Sequence, residues 1–407
     1  MRKPPARLLR FLAAAVVLAG ALAYGRTRSA PDLINPIREI FPGSQQVDVR
    51  EGIHHVYGEG GALLGWGGVG TADGYGGPMV LVVGIDTMGQ VAGVRVVEQR
   101  ETPVFWRMVR APEYFRGITG SPFDSIDYEY QNVVSVTGAT ISGDAIAQSI
   151  RASVSRVAGV AFDVRLPLPP RPFEFGLLEL TILVLFAAGV VGHRLRGPIR
   201  RRLRWAGQLV GLLVLGFWEN SPITLAKITT FLSGYLPDPR TGLAIYLLLA
   251  GFLLTSVFYG RNLYCLYACP FGAAQRVVGA IGGFRLNVPT WVARFMEGAR
   301  NLVVFAALFM AFITLQPALA SYEPFAALFA LHGTTLQWFL LFIVLTASLL
   351  LRTPWCNFLC PMRTFELVVL DTKRWWKGVG DPSSKGKGTE GRPEGPAGPD
   401  ETGAGLA

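Results

Sequence analysis

Charge is scarce in this chain. Only 16% of its 407 residues are Asp, Glu, Lys or Arg, and 51% are hydrophobic. Ordinary soluble domains carry roughly a quarter charged residues, so a membrane protein is expected. Cysteine is rarer still, with four in the chain, all in two close pairs. That pattern excludes the dense disulfide framework of a small secreted domain. Histidine is equally rare, and His54, His55, His193 and His332 are not spaced to face one another at mid-membrane. An intramembrane bis-histidine haem is therefore not expected. Acidic residues are outnumbered enough to leave a net charge of +10. The excess lies largely in short loops between apolar runs, with no basic helix or aromatic-interleaved patch, which argues against nucleic acid as a partner.

What is present divides the chain into four parts. Residues 1–28 begin with a basic stretch, Arg2 to Arg10, followed by an apolar one, Phe11 to Tyr24. This is the pattern of a signal peptide or signal anchor, and the Ala21-Leu22-Ala23 triplet suits cleavage. Either form sends residues 29–172 outward, and their mixture of glycine, charge and alternating apolar residues reads as a soluble domain. Strands are predicted at Pro78 to Asp86 and Val91 to Glu98, joined by Thr87-Met88-Gly89-Gln90 with Gly89 as the turn signal. Residues 173–377 read as a polytopic membrane domain with apolar runs at Leu177–Gly192, Trp205–Phe217, Leu243–Tyr259, Leu302–Leu315 and Leu336–Leu351. Several are shorter than the ~20 residues that cross a ~30 Å hydrocarbon layer, so flanking residues or packing must complete the five spans. Residues 378–407, rich in Gly, Pro, Glu, Lys and Ser without apolar periodicity, are expected to be a disordered tail.

Loop charge sets the expected orientation. His193–Arg204 holds six arginines, Gly260–Arg300 holds five, and Arg352–Lys377 holds three arginines and two lysines. Glu219–Thr241 and Gln316–Gln337 hold only Lys227 and Arg240. The first three are thus assigned to the cytoplasmic face, with the outer domain opposite. Glu219-Asn220-Ser221-Pro222 and Lys227 interrupt an apolar region on the outer side, as an interfacial cap, a re-entrant turn or a docking surface. Trp375 and Trp376, flanked by Lys373, Arg374 and Lys377, read as an interfacial anchor against membrane lipid.

All four cysteines belong to one duplicated pattern, Cys265-Leu-Tyr-Ala-Cys269-Pro270 and Cys356-Asn-Phe-Leu-Cys360-Pro361, 91 residues apart. The repeat extends backward through Thr255/Thr346, Arg261/Arg352 and Tyr264/Trp355. Four thiolates make a soft ligand set suited to an iron–sulfur cluster or to zinc, and the reducing cytoplasmic side keeps them unbridged. A redox-active dithiol or merely buried cysteines are the alternatives.

Three stretches of the outer domain carry a second signal. Gly74-Tyr75-Gly76-Gly77-Pro78-Met79 leads into Val83-Gly84-Ile85-Asp86; Glu101-Thr102-Pro103 and Thr137-Gly138-Ala139-Thr140 follow. A helix is predicted after the last, because Ala145, Ile146, Ile150, Val154 and Val157 recur at helical spacing. Its N-terminus would aim amide donors at a phosphate lying just upstream. In this order the stretches resemble the FMN-binding domain of the flavinylated subunits of Rnf and sodium-pumping NADH:quinone reductase complexes and of the NosR/NirI membrane proteins. The duplicated cysteine pattern resembles the same NosR/NirI group.

The resemblance implies an α+β extracytoplasmic FMN-binding domain followed by an α-helical membrane domain. It implies FMN joined by a phosphoester to Thr140, in a site including Thr137, Gly138, Ala139, Tyr75, Glu101 and Thr102, and a flavin transferase to attach it. An acidic residue usual seven positions earlier is replaced here by Val133, and Ser142 is a second hydroxyl nearby. An iron–sulfur cluster on Cys265, Cys269, Cys356 and Cys360 would complete a multi-pass protein of the bacterial inner membrane. The larger relatives carry a ferredoxin-like domain after the last span. Without such cysteines here, the cytoplasmic donor is expected to be a separate ferredoxin-like or flavin protein, and the outer partner a reductase or electron carrier. A flavin-based redox sensor or assembly factor for a periplasmic reductase is the alternative reading.

Overall fold

The computed structural model describes residues 6–27, 32–74, 76–101, 106, 115, 117–126, 140–166, 173, 175–240, 242–282 and 286–376. An apolar helix, α1 (Ala6–Arg26), comes first, and a short helix, α2 (Ile34–Ile40), leads into the sheet domain. Five strands follow as an antiparallel meander in chain order: β1 (Gln46–Arg50), β2 (Ile53–Tyr57), β3 (Leu63–Asp73), β4 (Pro78–Asp86) and β5 (Val91–Glu98). The two strands expected from alternation coincide with β4 and β5, and Gly89 between them has φ +80°.

Both sheet faces are covered, which explains why β4 is buried along most of its length. One face receives α3 (Thr140–Ala161), whose Ile146, Ile150, Val154 and Val157 are buried against Met79, Leu81, Val83 and Ile85, with Ala145 also buried. The other face receives Ile37, Ile40 and Phe41 from α2 and its end, packed on Val56 and Val82. Helix α3 lies close because β3 is glycine-rich: a methyl group at Gly70 would overlap the carbonyl oxygen of Ser149.

The helical half contains α4 (Leu177–Arg194) and α5 (Gly197–Val210), the latter continuing as a π-helix from Gly211 to Trp218. Then come α6 (Leu225–Leu232), α7 (Leu243–Tyr259), α8 (Pro270–Gly282), α9 (Thr290–Thr314), α10 (Phe325–Phe329), α11 (Thr335–Leu350), α12 (Pro354–Phe358) and α13 (Pro361–Trp376). Among the described residues, α1, α4 and α9 are long and apolar enough to cross a membrane; α7 and α11 are apolar but shorter. Each of the five apolar runs expected from the sequence falls in one of these helical segments.

Helix α1 packs along α9, with Ala21 clustered among Val304, Leu308, Ala311 and Phe312. Arg7 at one end pairs with Glu297 at 3.2 Å, and Arg26 at the other donates to the Ser233 carbonyl at 2.7 Å. Ser233 directly follows α6, so the two ends of α1 mark opposite ends of the bundle.

Candidate flavin and cysteine sites

The glycine loop after β3 folds onto the segment after β5. Gly74 N–H donates to the Gly77 carbonyl at 2.9 Å, and Gly76 N–H donates to the buried Glu101 carboxylate at 3.2 Å. A methyl group at Gly74 would overlap Glu101 Oε1 and one at Gly76 the Arg100 carbonyl, so both glycines are needed for this approach. Two of the three motif stretches are therefore neighbours. The third is brought to the same end of the sheet by α3. Gly68 meets Ser153 and Gly70 meets Ser149, so α3 runs toward Gly74 as it approaches its N-terminus. From Ser149 back to Thr140 is about 13 Å of helix, and from Gly70 to Gly74 about 13 Å of strand. Glu101 is among the described residues, as is the backbone of Thr140. Tyr75, Thr102, Thr137, Gly138, Ala139 and the Thr140 side chain lie outside them.

This loop also rests on the helical half. The Arg100 guanidinium donates to the Tyr235 hydroxyl and its carbon lies 4.8 Å from the centre of that ring, while Glu98 holds the same guanidinium at 2.5 Å. Such cation–π contacts favour a fixed orientation of the two partners. Tyr235 lies in the loop that α1 also reaches through Arg26.

The two cysteine pairs, 91 residues apart in sequence, converge. Cys265 lies within electrostatic reach of Cys269, Cys360 and Cys356. Gly272 sits beside two of the sulfurs: a methyl group there would lie 3.6 Å from Cys269 Sγ and 3.7 Å from Cys356 Sγ. Cys360 is buried and Cys265, Cys269 and Cys356 are partly buried. A soft metal that binds them displaces the thiol protons, as is usual for thiolate sites. Four thiols make a soft ligand set of the kind that holds an iron–sulfur cluster.

Neither cysteine segment is a surface loop. The Tyr264–Ala268 π-turn lies against α5 because α5 is small there: Gln208 Nε2 donates to the Leu266 carbonyl at 2.7 Å, and a methyl at Gly211 would overlap the Ala268 carbonyl. From the opposite end, two segments fold inward to meet the cysteines. Tyr264 OH accepts the Ile223 N–H at 3.0 Å, and Tyr322 OH donates to the Leu359 carbonyl at 3.0 Å. Trp355 packs on Phe271, Tyr322 and Phe325. Glu323 joins the inward segments to each other, accepting the Leu225 N–H at 2.5 Å. The interruption at Glu219–Lys227 folds back against the cysteine segments, with Lys227 buried and donating to Ser221 Oγ and the Pro222 carbonyl, each at 3.1 Å.

The sequence pattern did not single out Gln275 and Glu366, although they too are 91 residues apart. Gln275 Nε2 approaches Cys356 Sγ at 3.4 Å while its Oε1 accepts the Trp355 N–H at 3.0 Å. Glu366 accepts the Asn262 N–H at 3.3 Å, so each repeat buttresses the other's cysteine segment. Their shared offset was the available signal, hidden because neither residue type is a soft-metal ligand.

Residues 74–155 match the FMN-binding domain family, and residues 241–289 and 331–376 match the 4Fe-4S binding domain family, one repeat in each stretch. The chain is similar to protein NirI of Paracoccus denitrificans, at 26% identity over 56% of this chain and 37% of that protein. It is also similar to the regulatory protein NosR of Pseudomonas aeruginosa, at 25% identity over 47% of this chain and 29% of that protein. One component of the ion-translocating oxidoreductase complex of Vibrio vulnificus matches at 32% identity over 21% of this chain and 44% of that component. In each case the match spans less than half of the relative's length. The paired cysteine repeats, the apolar helices and the flavin-domain sheet together mark a NosR/NirI-like protein, with an FMN-binding domain and a 4Fe-4S binding domain.

Proposed function

We propose that this protein carries electrons across the membrane between a cytoplasmic donor and FMN held outside, through a 4Fe-4S cluster on Cys265, Cys269, Cys356 and Cys360. The carrying observation is the enclosure of four converging thiols by segments from both ends of the bundle. The cysteine turn meets the second apolar helix at Gly211, seven residues before its end at Trp218. That leaves on the order of 10 Å of helix beyond the turn, against a ~30 Å layer. The flavin-domain loop rests on Tyr235 at this end, so inward folding shortens the path an electron must cross. Cofactors supply the redox chemistry; the chain fixes their spacing and tunes their potentials.

FMN is joined by a phosphoester to Thr140, at the α3 N-terminus, where backbone amides favour a phosphate. The proposed FMN site also includes Thr137, Gly138, Ala139, Tyr75, Glu101 and Thr102. A flavin transferase attaches it. Helix α1 is retained as an anchor, a reading supported by its packing on α9. Five further spans follow, with the arginine-rich end cytoplasmic and the FMN domain periplasmic. On the inner side Arg200, Arg276 and Arg352 all lie within electrostatic reach of Arg204, a surface suited to an acidic ferredoxin-like carrier. The outer acceptor is a reductase or its carrier.

The test is expression with the flavin transferase, followed by denaturing electrophoresis and anaerobic iron and sulfide analysis. Covalent flavin fluorescence should be present, vanish in Thr140→Val, and persist in Ser142→Ala. Iron and sulfide should be present and be lost in Cys356→Ser. Fluorescence surviving in Thr140→Val would move the attachment site, and zinc without sulfide would remove the cluster. The regulatory name borne by NosR keeps a redox sensor as a second reading; rapid flavin reduction from the cytoplasmic side of proteoliposomes separates the two.

A further inference from the structure

A second site lies at the Arg7 end of the bundle, away from the flavin domain. Here a cavity of about 430 Å³ is lined by Arg7, Glu297, Arg300, Arg352, Asn357 and Arg363, with three leucines among the mostly apolar residues, Asn287 apart, of its remaining wall. Its size is within the roughly 300–1,000 Å³ of small-molecule sites. Four guanidinium groups face one carboxylate. Glu297 is engaged by Arg7 at 3.2 Å, and Arg363 is engaged by Glu366 at 2.6 Å. Arg300 and Arg352 have no carboxylate within ion-pair distance among the described residues.

Arg300 is the informative one. It is 3% exposed, and two of its nitrogens are committed: Nε donates to Thr364 Oγ1 at 3.1 Å and Nη1 to the Asn357 carbonyl at 3.0 Å. Its Nη2 is buried without a hydrogen-bond partner among the described residues. These bonds fix the guanidinium rigidly, so the remaining N–H groups are pre-oriented rather than free to seek water. A buried guanidinium with one nitrogen left without a hydrogen bond is costly, and a bound anion offsets that cost. The planar fork of arginine matches a phosphate in a way that a lysine point charge does not.

We propose that this cavity binds a phosphate group, carried by an anionic phospholipid wedged between α9, α12 and α13 or by a small soluble phosphate compound. Arg300 supplies the buried contact and Arg352 the exposed one. The leucine wall and the position at the arginine-rich ends of the helices favour the lipid, since basic pockets between membrane helices on this side accept anionic headgroups. Arg300 also holds the carbonyl of Asn357, inside the second cysteine pair, so occupancy braces that segment.

The full chain is purified gently and analysed by native mass spectrometry, then reconstituted in phosphatidylcholine nanodiscs with or without phosphatidylglycerol for thermal unfolding. Wild type should retain an anionic phospholipid and melt higher in the anionic discs. Arg352→Gln and Arg300→Gln should each retain it about fivefold to tenfold less. Arg202→Gln, exposed and outside the cavity, should retain it as wild type does. Because Arg300→Gln also removes internal bonds, Arg352→Gln carries the result if that variant fails to fold. Stabilisation of wild type but not Arg352→Gln by inorganic phosphate in phosphatidylcholine discs would support the soluble source. Equal retention and equal melting in wild type and Arg352→Gln, or an equal loss in Arg202→Gln, would overturn the site.

Discussion

Gln275 offers the sharpest test of how the chain tunes its cysteine site. Its side chain is 1% exposed, donates toward Cys356 Sγ at 3.4 Å and to the Phe271 carbonyl at 3.3 Å, and accepts the Trp355 N–H at 3.0 Å. Reduction of an iron–sulfur cluster adds negative charge to its sulfurs, so a donor to a thiolate stabilises the reduced form more than the oxidised one. A hydrogen bond has a net worth of about 0.5–1.5 kcal/mol. For a one-electron couple 59 mV corresponds to tenfold, or about 1.4 kcal/mol, so losing the donor should lower the midpoint potential by roughly 20–65 mV.

Gln275→Leu removes donor and acceptor together, and the stranded Trp355 N–H should add a stability loss of about 1–3 kcal/mol. Gln275→Glu keeps an acceptor for Trp355 but replaces the donor with a negative charge, so its potential should fall further while its stability falls less. Potentiometric titration followed by electron paramagnetic resonance, on samples matched for iron and sulfide, reads both potentials; thermal unfolding reads the stability. A fully loaded Gln275→Leu protein with the wild-type potential would refute the electrostatic role. A Gln275→Glu protein no more stable than Gln275→Leu would refute the Trp355 contact.

Two further outcomes concern the outer domain. Gly70→Ala forces α3 away from β3 by overlapping the Ser149 carbonyl, and should cost at least ~1–3 kcal/mol in thermal unfolding of the domain; unchanged melting would refute the close helix–sheet contact. His54 is buried, and desolvation holds its pKa below the ordinary 6.5 despite the opposing Gly67 carbonyl. The unfolded chain therefore takes up a proton near pH 6.5 that the folded one refuses, so stability is retained above that pH and lost as pH falls below it. Denaturant titrations from pH 5 to 8 should show His54→Gln with a shallower acid loss than wild type, and parallel curves would refute it.

Much of the outer domain was legible because its signals are local. Strand-like apolar runs with Gly89 at the turn marked β4 and β5, and helical spacing from Ala145 to Val157 marked the buried face of α3. The glycines of β3 gave no comparable signal, since their role is to admit a helix distant in sequence. In the helical half, hydropathy located the long segments but could not find the inward-folding ones. The stretches around Ser221-Pro222 and Pro317–Pro324 are short and interrupted by proline and polar groups, and so read as loops. Their depth is set by contacts that appear only on folding, above all Ile223 with Tyr264, Leu225 with Glu323, and Tyr322 with Leu359.

The same contacts give the 91-residue repeat a meaning beyond ligand spacing. In each copy the aromatic just before the first cysteine meets one inward segment, Tyr264 through Ile223 and Trp355 through Tyr322 and Phe325. In each copy a polar side chain beyond the second cysteine reaches across to hold the other copy, Gln275 to Trp355 and Glu366 to Asn262. A duplicated unit that only supplied four thiols would need neither exchange. Paired this way, the repeats close the cysteine site from inside the bundle while drawing the opposite loops down to it, which combines desolvation of the thiols with a shortened distance to the end where Arg100 meets Tyr235. Electron tunnelling weakens steeply with distance, so along the proposed path the inward segments would set the rate through the distance they shorten. Lengthening them should slow flavin reduction even with the cluster fully loaded.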